Sequence, residues 1–147
     1  MANTRLLRGA WLAGGLLMLS GPVRAVEASA GVPIDWTISD PAAVGSLCAQ
    51  RLAAVAQSRE AAENVPLESG PLVILRAYDA AYAMAKNTTN EIWVLSQLAQ
   101  QDSIRKAAGE CYEQLEAARL GLQRSGPLFE RLLAAQKAGG PQVLRYI

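Results

Sequence analysis

Histidine is absent from all 147 residues, and that one absence removes a large share of the usual catalytic chemistry. A His-Glu-x-x-His zinc motif, a serine triad with a histidine base and a cysteine–histidine dyad are all excluded. Cysteine is scarce: Cys48 and Cys111 are the only two, too far apart for a heme-attachment pair. No glycine-rich phosphate loop is present, because the 12 glycines fall in the N-terminal segment, in turns and at single helix positions such as Gly109 and Gly121. There is one phenylalanine, and long β-branched runs are missing. Alanine and leucine dominate instead, which favours helix over sheet.

What is present begins with a leader. Arg5 and Arg8 form a positive start, Gly9 to Gly21 (GAWLAGGLLMLSG) carries no charge, and Val23-Arg24-Ala25 supplies small residues at the two cleavage-determining positions. This is the pattern of a secretory signal peptide, with cleavage expected after Ala25 and the mature chain starting at Val26. The apolar run is well short of the roughly 20 residues that span a bilayer, so no stable membrane anchor is expected. No cysteine follows it, as a lipoprotein signal needs, and Arg5 and Arg8 are not adjacent as in a twin-arginine signal. The expected location is exported, periplasmic or secreted. Cleavage takes the 14 basic residues to 11 against 13 acidic ones, net −2. A nucleic-acid binder shows a basic footprint, and none is visible, so nucleic acid is not an expected partner.

The boundaries read as signal peptide 1–25, irregular lead 26–40 with an isolated Trp36 expected to pack on the body, helical domain 41–140 and tail 141–147. The expected fold is all-α, a bundle of about five helices. The first opens with Asp40 as N-cap and Pro41 at the first helical position, and Val44, Leu47, Cys48, Leu52 and Val55 recur on one face. It fades near Asn64-Val65-Pro66. A second follows Ser69-Gly70-Pro71, with a stripe of Leu75, Tyr78, Ala81, Tyr82 and Ala85 running to Asn87. Thr88 and Glu91 have the spacing of a capping box, which predicts a third helix carrying Ile92, Leu95 and Leu98. The fourth has the most regular seam, Ile104, Ala108, Cys111, Leu115, Ala118 and Leu122. A last helix from Pro127, with Leu128, Phe129, Leu132 and Leu133, is predicted to stop at Gly139-Gly140-Pro141.

Three groups of residues invite a functional reading. Glu110, Glu113 and Glu116 recur every third residue, but helical carboxylates hold a di-metal centre together with histidine, so a solvated face is the better reading. Tyr78 and Tyr82, with Tyr112 elsewhere, would line a peptide groove or face another domain; aromatic residues at helical spacing more often belong to a core or its edge. Asn87-Thr88-Thr89 matches a glycosylation sequon, though Thr88 is already accounted for as a cap. Cys48 and Cys111 each lie on the apolar seam of a helix in a chain expected to reach an oxidising compartment. A disulfide is predicted, with buried free thiols as the alternative, because sequence alone does not place the two seams within bonding distance.

From Gly70 to Leu133, and above all in Ser103–Leu115 (SIRKAAGECYEQL) and Leu128–Leu133 (LFERLL), the chain resembles the N-terminal helical region of M3-family zinc metallopeptidases, the thimet oligopeptidase group. That region runs as a helix with a long apolar face, a loop, a second helix, then a helix opening on Arg-x-Ala-Ala-x-x-Cys and a further hairpin. Arg105, Ala107, Ala108 and Cys111 match the opening, and with the first helix the resemblance covers about residues 36–138. Where members often have histidine just before the arginine, this chain has Gln101-Asp102. The resemblance implies a role in the wall of a channel that admits short, unfolded peptides, with zinc and its ligands in a C-terminal catalytic domain as partner. No active-site residue of the family maps onto this sequence, so no zinc or other cofactor is expected in this chain and no activity from it alone. Pro141–Ile147 (PQVLRYI) reads as an interrupted chain, and an exposed apolar strip is expected where the partner domain docks. The alternative is a free-standing exported helical binding or adaptor protein.

Overall fold

The computed structural model describes residues 37–143, and side chains as far as Gly139; the expected signal peptide, the lead up to and including Trp36 and the residues from 144 onward lie outside the described residues. Four α-helices and one 3-10 turn, with no strand among the described residues, make an all-α fold. The helices are α1 (Pro41–Glu63), α2 (Pro71–Leu98), α3 (Asp102–Gln123) and α4 (Gly126–Val143). The turn is Leu67–Ser69, between α1 and α2.

α1 starts where its cap dictates. The Asp40 carboxylate accepts from the Ala42 N–H at 2.9 Å, which satisfies one of the orphan donors of the first turn, while Pro41 needs no such partner. The helix ends at Glu63, and Pro66 prevents its resumption. Gly70 then takes φ 89° and ψ 159°, a conformation closed to side-chain-bearing residues, and Pro71 opens α2.

α2 departs from the expectation of two helices. It runs unbroken for 28 residues through Asn87-Thr88-Thr89, and the capping box does not form. The Thr89 hydroxyl turns back and donates to the Ala85 carbonyl at 2.8 Å, four residues earlier, and Thr88 sits against the Met84 sulfur at 3.8 Å. With their hydroxyls served inside the helix, both threonines are buried rather than placed at an end. Glu91 does not reach back to a cap either; its carboxylate accepts from Arg51 of α1 at 2.9 Å. Among the described residues the fold therefore has four α-helices, close to the expected five.

The reversal into α3 is closed by Arg105, whose guanidinium donates to the carbonyls of Ala99 at 2.6 Å and Gln100 at 3.0 Å and pairs with Asp102. These carbonyls lie just beyond the end of α2 and would otherwise lack donors. Ser125 then starts α4, accepting from the Leu128 N–H at 3.3 Å through its hydroxyl and from the Phe129 N–H at 3.0 Å through its carbonyl. α4 begins one residue before Pro127 and does not stop at Gly139-Gly140-Pro141 as expected, continuing to Val143. Glycine and proline raise the free energy of a helix; they do not forbid it sterically at every position.

α2 is the hub, packed against α1, α3 and α4, while α1 and α3 also pack on each other. One core joins Val44, Cys48 and Val55 of α1, Ala85, Ile92 and Leu95 of α2, and Ile104, Ala108, Cys111 and Leu115 of α3. A second, at the other end, joins Ala62, Ala81, Leu122 and Leu128, with Tyr78 and Tyr82 at its edge. The predicted seam of α3 is thus buried at Ile104, Ala108, Cys111, Leu115 and Leu122, with Ala118 partly buried. α4 buries Leu128 and Ala135 but leaves Phe129 and Leu133 exposed.

Ser125 also ties α4 to α1, because its hydroxyl donates to the Glu63 carboxylate at 2.5 Å while Arg59 donates to the same oxygen at 2.7 Å. These bonds, the Ser125 hydroxyl foremost and Arg59 next, hold the Glu63 carboxyl below the usual range. A depressed folded-state pKa stabilises the fold fully above the unfolded value and loses that contribution as pH falls. Glu63→Gln is expected to flatten the acid limb of the stability curve below about pH 4.3, the ordinary glutamate value, and leave a constant deficit above it. Urea denaturation at a series of pH values from 3 to 7 measures this; an acid limb of unchanged slope would remove Glu63 as its source.

Candidate functional site

The predicted cysteine pair is joined. Cys48 of α1 and Cys111 of α3 form a disulfide with Cα atoms 5.7 Å apart, deep in the first core. It is a structural clamp between two helices, and each cysteine is almost wholly buried. The small residues around it, Gly45 and Ala49 on α1 and Ala107 on α3, leave a shallow α1–α3 groove over the bond.

The three glutamates of α3 diverge. Steps of three residues turn each side chain about 60° from the last, so Glu110 borders the α1–α3 groove while Glu116 borders a groove on the α2 side. Glu110 and Glu113 are exposed. Glu116 is half-buried and held by Arg119, whose guanidinium donates through Nε at 2.9 Å and through Nη2 at 2.5 Å. This pair keeps the Glu116 carboxyl below its usual range and the Arg119 guanidinium more firmly protonated than usual. Among the described residues, no three His, Cys, Asp or Glu side chains cluster as metal ligands.

The aromatic residues gather on the α2–α3 groove, whose volume is about 410 Å³. From α2 come Tyr82, Lys86, Thr89, Asn90 and Trp93; from α3 come Tyr112, Glu116 and Arg119. An unbroken α2 puts residues 82, 86, 90 and 93 one above another, at the four- and three-residue steps of one helical face. Tyr82 and Tyr112 thus meet in one groove. Tyr78 does not line it: it stacks on Tyr82, ring centroids 6.2 Å apart and planes 13° from parallel, at the edge of the second core. Burial, with the neighbouring Tyr82 and Asp79, pushes the Tyr78 phenol above its usual value. Of the groove residues, sequence reasoning misses Trp93, Lys86, Asn90 and Arg119.

Against known protein families, curated proteins and solved structures, the chain shows no match. Among the described residues no helix is long and apolar enough to cross a membrane. The disulfide is compatible with an exported protein.

Proposed function

We propose that this chain is the N-terminal, non-catalytic helical part of an exported M3-type zinc metallo-oligopeptidase. In this reading its helices form part of the wall of a channel that admits short, unfolded peptides to a catalytic domain carried further along the polypeptide. The observation that carries the proposal is the division of labour within Arg105, Ala107, Ala108 and Cys111, the residues of the resemblance. Arg105 closes the end of α2, Ala107 and Ala108 pack in or against the core, and Cys111 bonds to α1. The exposed apolar residues Leu67, Leu72, Val73, Phe129 and Leu133 are consistent with a further domain docking on the bundle.

The described residues do not fit a catalytic zinc. Such a site needs about three protein donors in a fixed array; no such carboxylate cluster is present among the described residues, and both cysteines are oxidised. Zinc would be held by the other domain. The purified exported chain, incubated with quenched peptides and added zinc, is expected to give no chelator-sensitive cleavage. Cleavage that survives removal of host peptidases would sink the wall reading. Coding DNA beyond Ile147 should contain an encoded His-Glu-x-x-His, and its absence over several hundred codons in every frame would leave the second reading. That second reading, a free-standing exported binding or adaptor protein, is favoured by one observation: α1, α2 and α3 close around a core of their own, cross-linked by a disulfide.

A further inference from the structure

The α2–α3 groove concentrates aromatic side chains in a chain that has few. Of the five aromatic residues whose side chains are described, Tyr82, Trp93 and Tyr112 line it, and Trp93 is 49% exposed on a helix flank where a polar residue would cost nothing. Ring faces of this kind offer apolar area with a hydrogen-bonding edge. Helical surfaces expose single apolar residues routinely; three aromatic rings around one concavity of about 410 Å³, within the size range of small-ligand sites, is a different pattern.

The charges of the groove select the ligand's polarity. Arg119 donates two hydrogen bonds to Glu116, so that pair is internally neutralised. Lys86 makes no ion pair and no hydrogen bond among the described residues. The groove therefore carries one uncompensated positive charge beside the rings, with the Asn90 amide one helical turn further along. A cation is repelled there, and a neutral apolar molecule leaves the ammonium unused. An anion attached to an apolar group satisfies both features.

We infer that the groove between α2 and α3 binds an apolar carboxylate, its hydrocarbon or aryl part against Tyr82, Trp93 and Tyr112 and its carboxylate on the Lys86 ammonium. Two sources share this chemistry: the C-terminal residue of a peptide, and a free aryl- or alkyl-carboxylic acid. The site needs no catalytic domain, so its failure would leave the wall reading standing.

Calorimetric titration of the full exported chain tests it with three probes: the tripeptide Ala-Ala-Phe, its C-terminal amide, and 3-phenylpropionate. At least one carboxylate is expected to bind saturably with a Kd below about 1 mM. Lys86→Gln, at an exposed position, is expected to weaken that binding about tenfold without changing the helical circular dichroism, and Trp93→Leu to weaken it comparably. Tighter binding of the tripeptide assigns the peptide source; equal or tighter binding of phenylpropionate assigns the free acid. Binding of the amide as tight as the free tripeptide, Lys86→Gln without effect, or no saturable binding of either carboxylate would overturn the inference.

Discussion

Replacing Cys48 and Cys111 together by alanine is expected to destabilise the folded chain by about 4 kcal/mol, the loop-closure entropy for a sequence separation of 63 residues. For a domain of this size that is a fall in Tm of roughly 15–25 °C. The value is large because the bond spans the whole of α2: reduced, the unfolded chain regains the freedom of α1 relative to α3. The native helices should stay in place, since Val44, Val55, Leu115 and Ile92 still fill the core around the gap. Thermal unfolding of the double variant beside the oxidised parent, both without reductant, measures the effect. A change below about 1 kcal/mol would mean that the unfolded chain is already compact enough to hold α1 near α3.

The second large effect belongs to Arg51 and Glu91. Their side chains are only 15% and 14% accessible, and their 2.9 Å contact is an ion pair that crosses from α1 to α2. Removing one partner of this half-buried pair leaves the other partly desolvated and without its charge-assisted hydrogen bond, so Arg51→Met should destabilise the fold by about 2 kcal/mol. The paired replacement Arg51→Met with Glu91→Leu should recover most of that loss, because apolar side chains of similar size meet no such penalty there. The Arg51 Nε–H is buried with no partner, so even the native pair is imperfectly served. Urea denaturation of the two single variants and the double one closes the cycle. If the double variant proved as unstable as Arg51→Met alone, packing rather than charge would account for the loss.

Much of the bundle was legible because its strongest signals are local or periodic. The Asp40–Pro41 start of α1 and the seam of α3 depend on spacing within one helix, and both appear as expected. The two cysteines were legible as a pair since each sat on such a seam. The difference at Thr88 and Thr89 has a physical cause: a threonine hydroxyl that could cap a helix can instead be served four residues back within one, as Thr88 is by the Met84 sulfur and Thr89 by the Ala85 carbonyl. Burial in the bundle decides between the two, and burial is not local information. That difference also hid half of the groove. With a break at Asn87, Tyr82 and Trp93 belong to different helices; with α2 continuous, they fall on one face with Lys86 and Asn90. At α4, the exposed positions of Phe129 and Leu133 follow from how far that helix lies from α1 and α3, which no pattern within it records.

The placement of the disulfide divides the molecule unequally. The bond encloses about the last two-thirds of α1, all of α2 and the first half of α3, and leaves α4 outside the loop it closes. α4 rests mainly on α2, tethered through Ser125 to Glu63 and through Arg131 to the Val65 carbonyl at 3.0 Å. Its release breaks those two ties and uncovers Leu128 and the Tyr78 edge while the cross-linked three-helix core persists. α4 is therefore expected to open at a lower free energy than the cross-linked helices, and amide protons along it should exchange before those around Cys48 and Cys111.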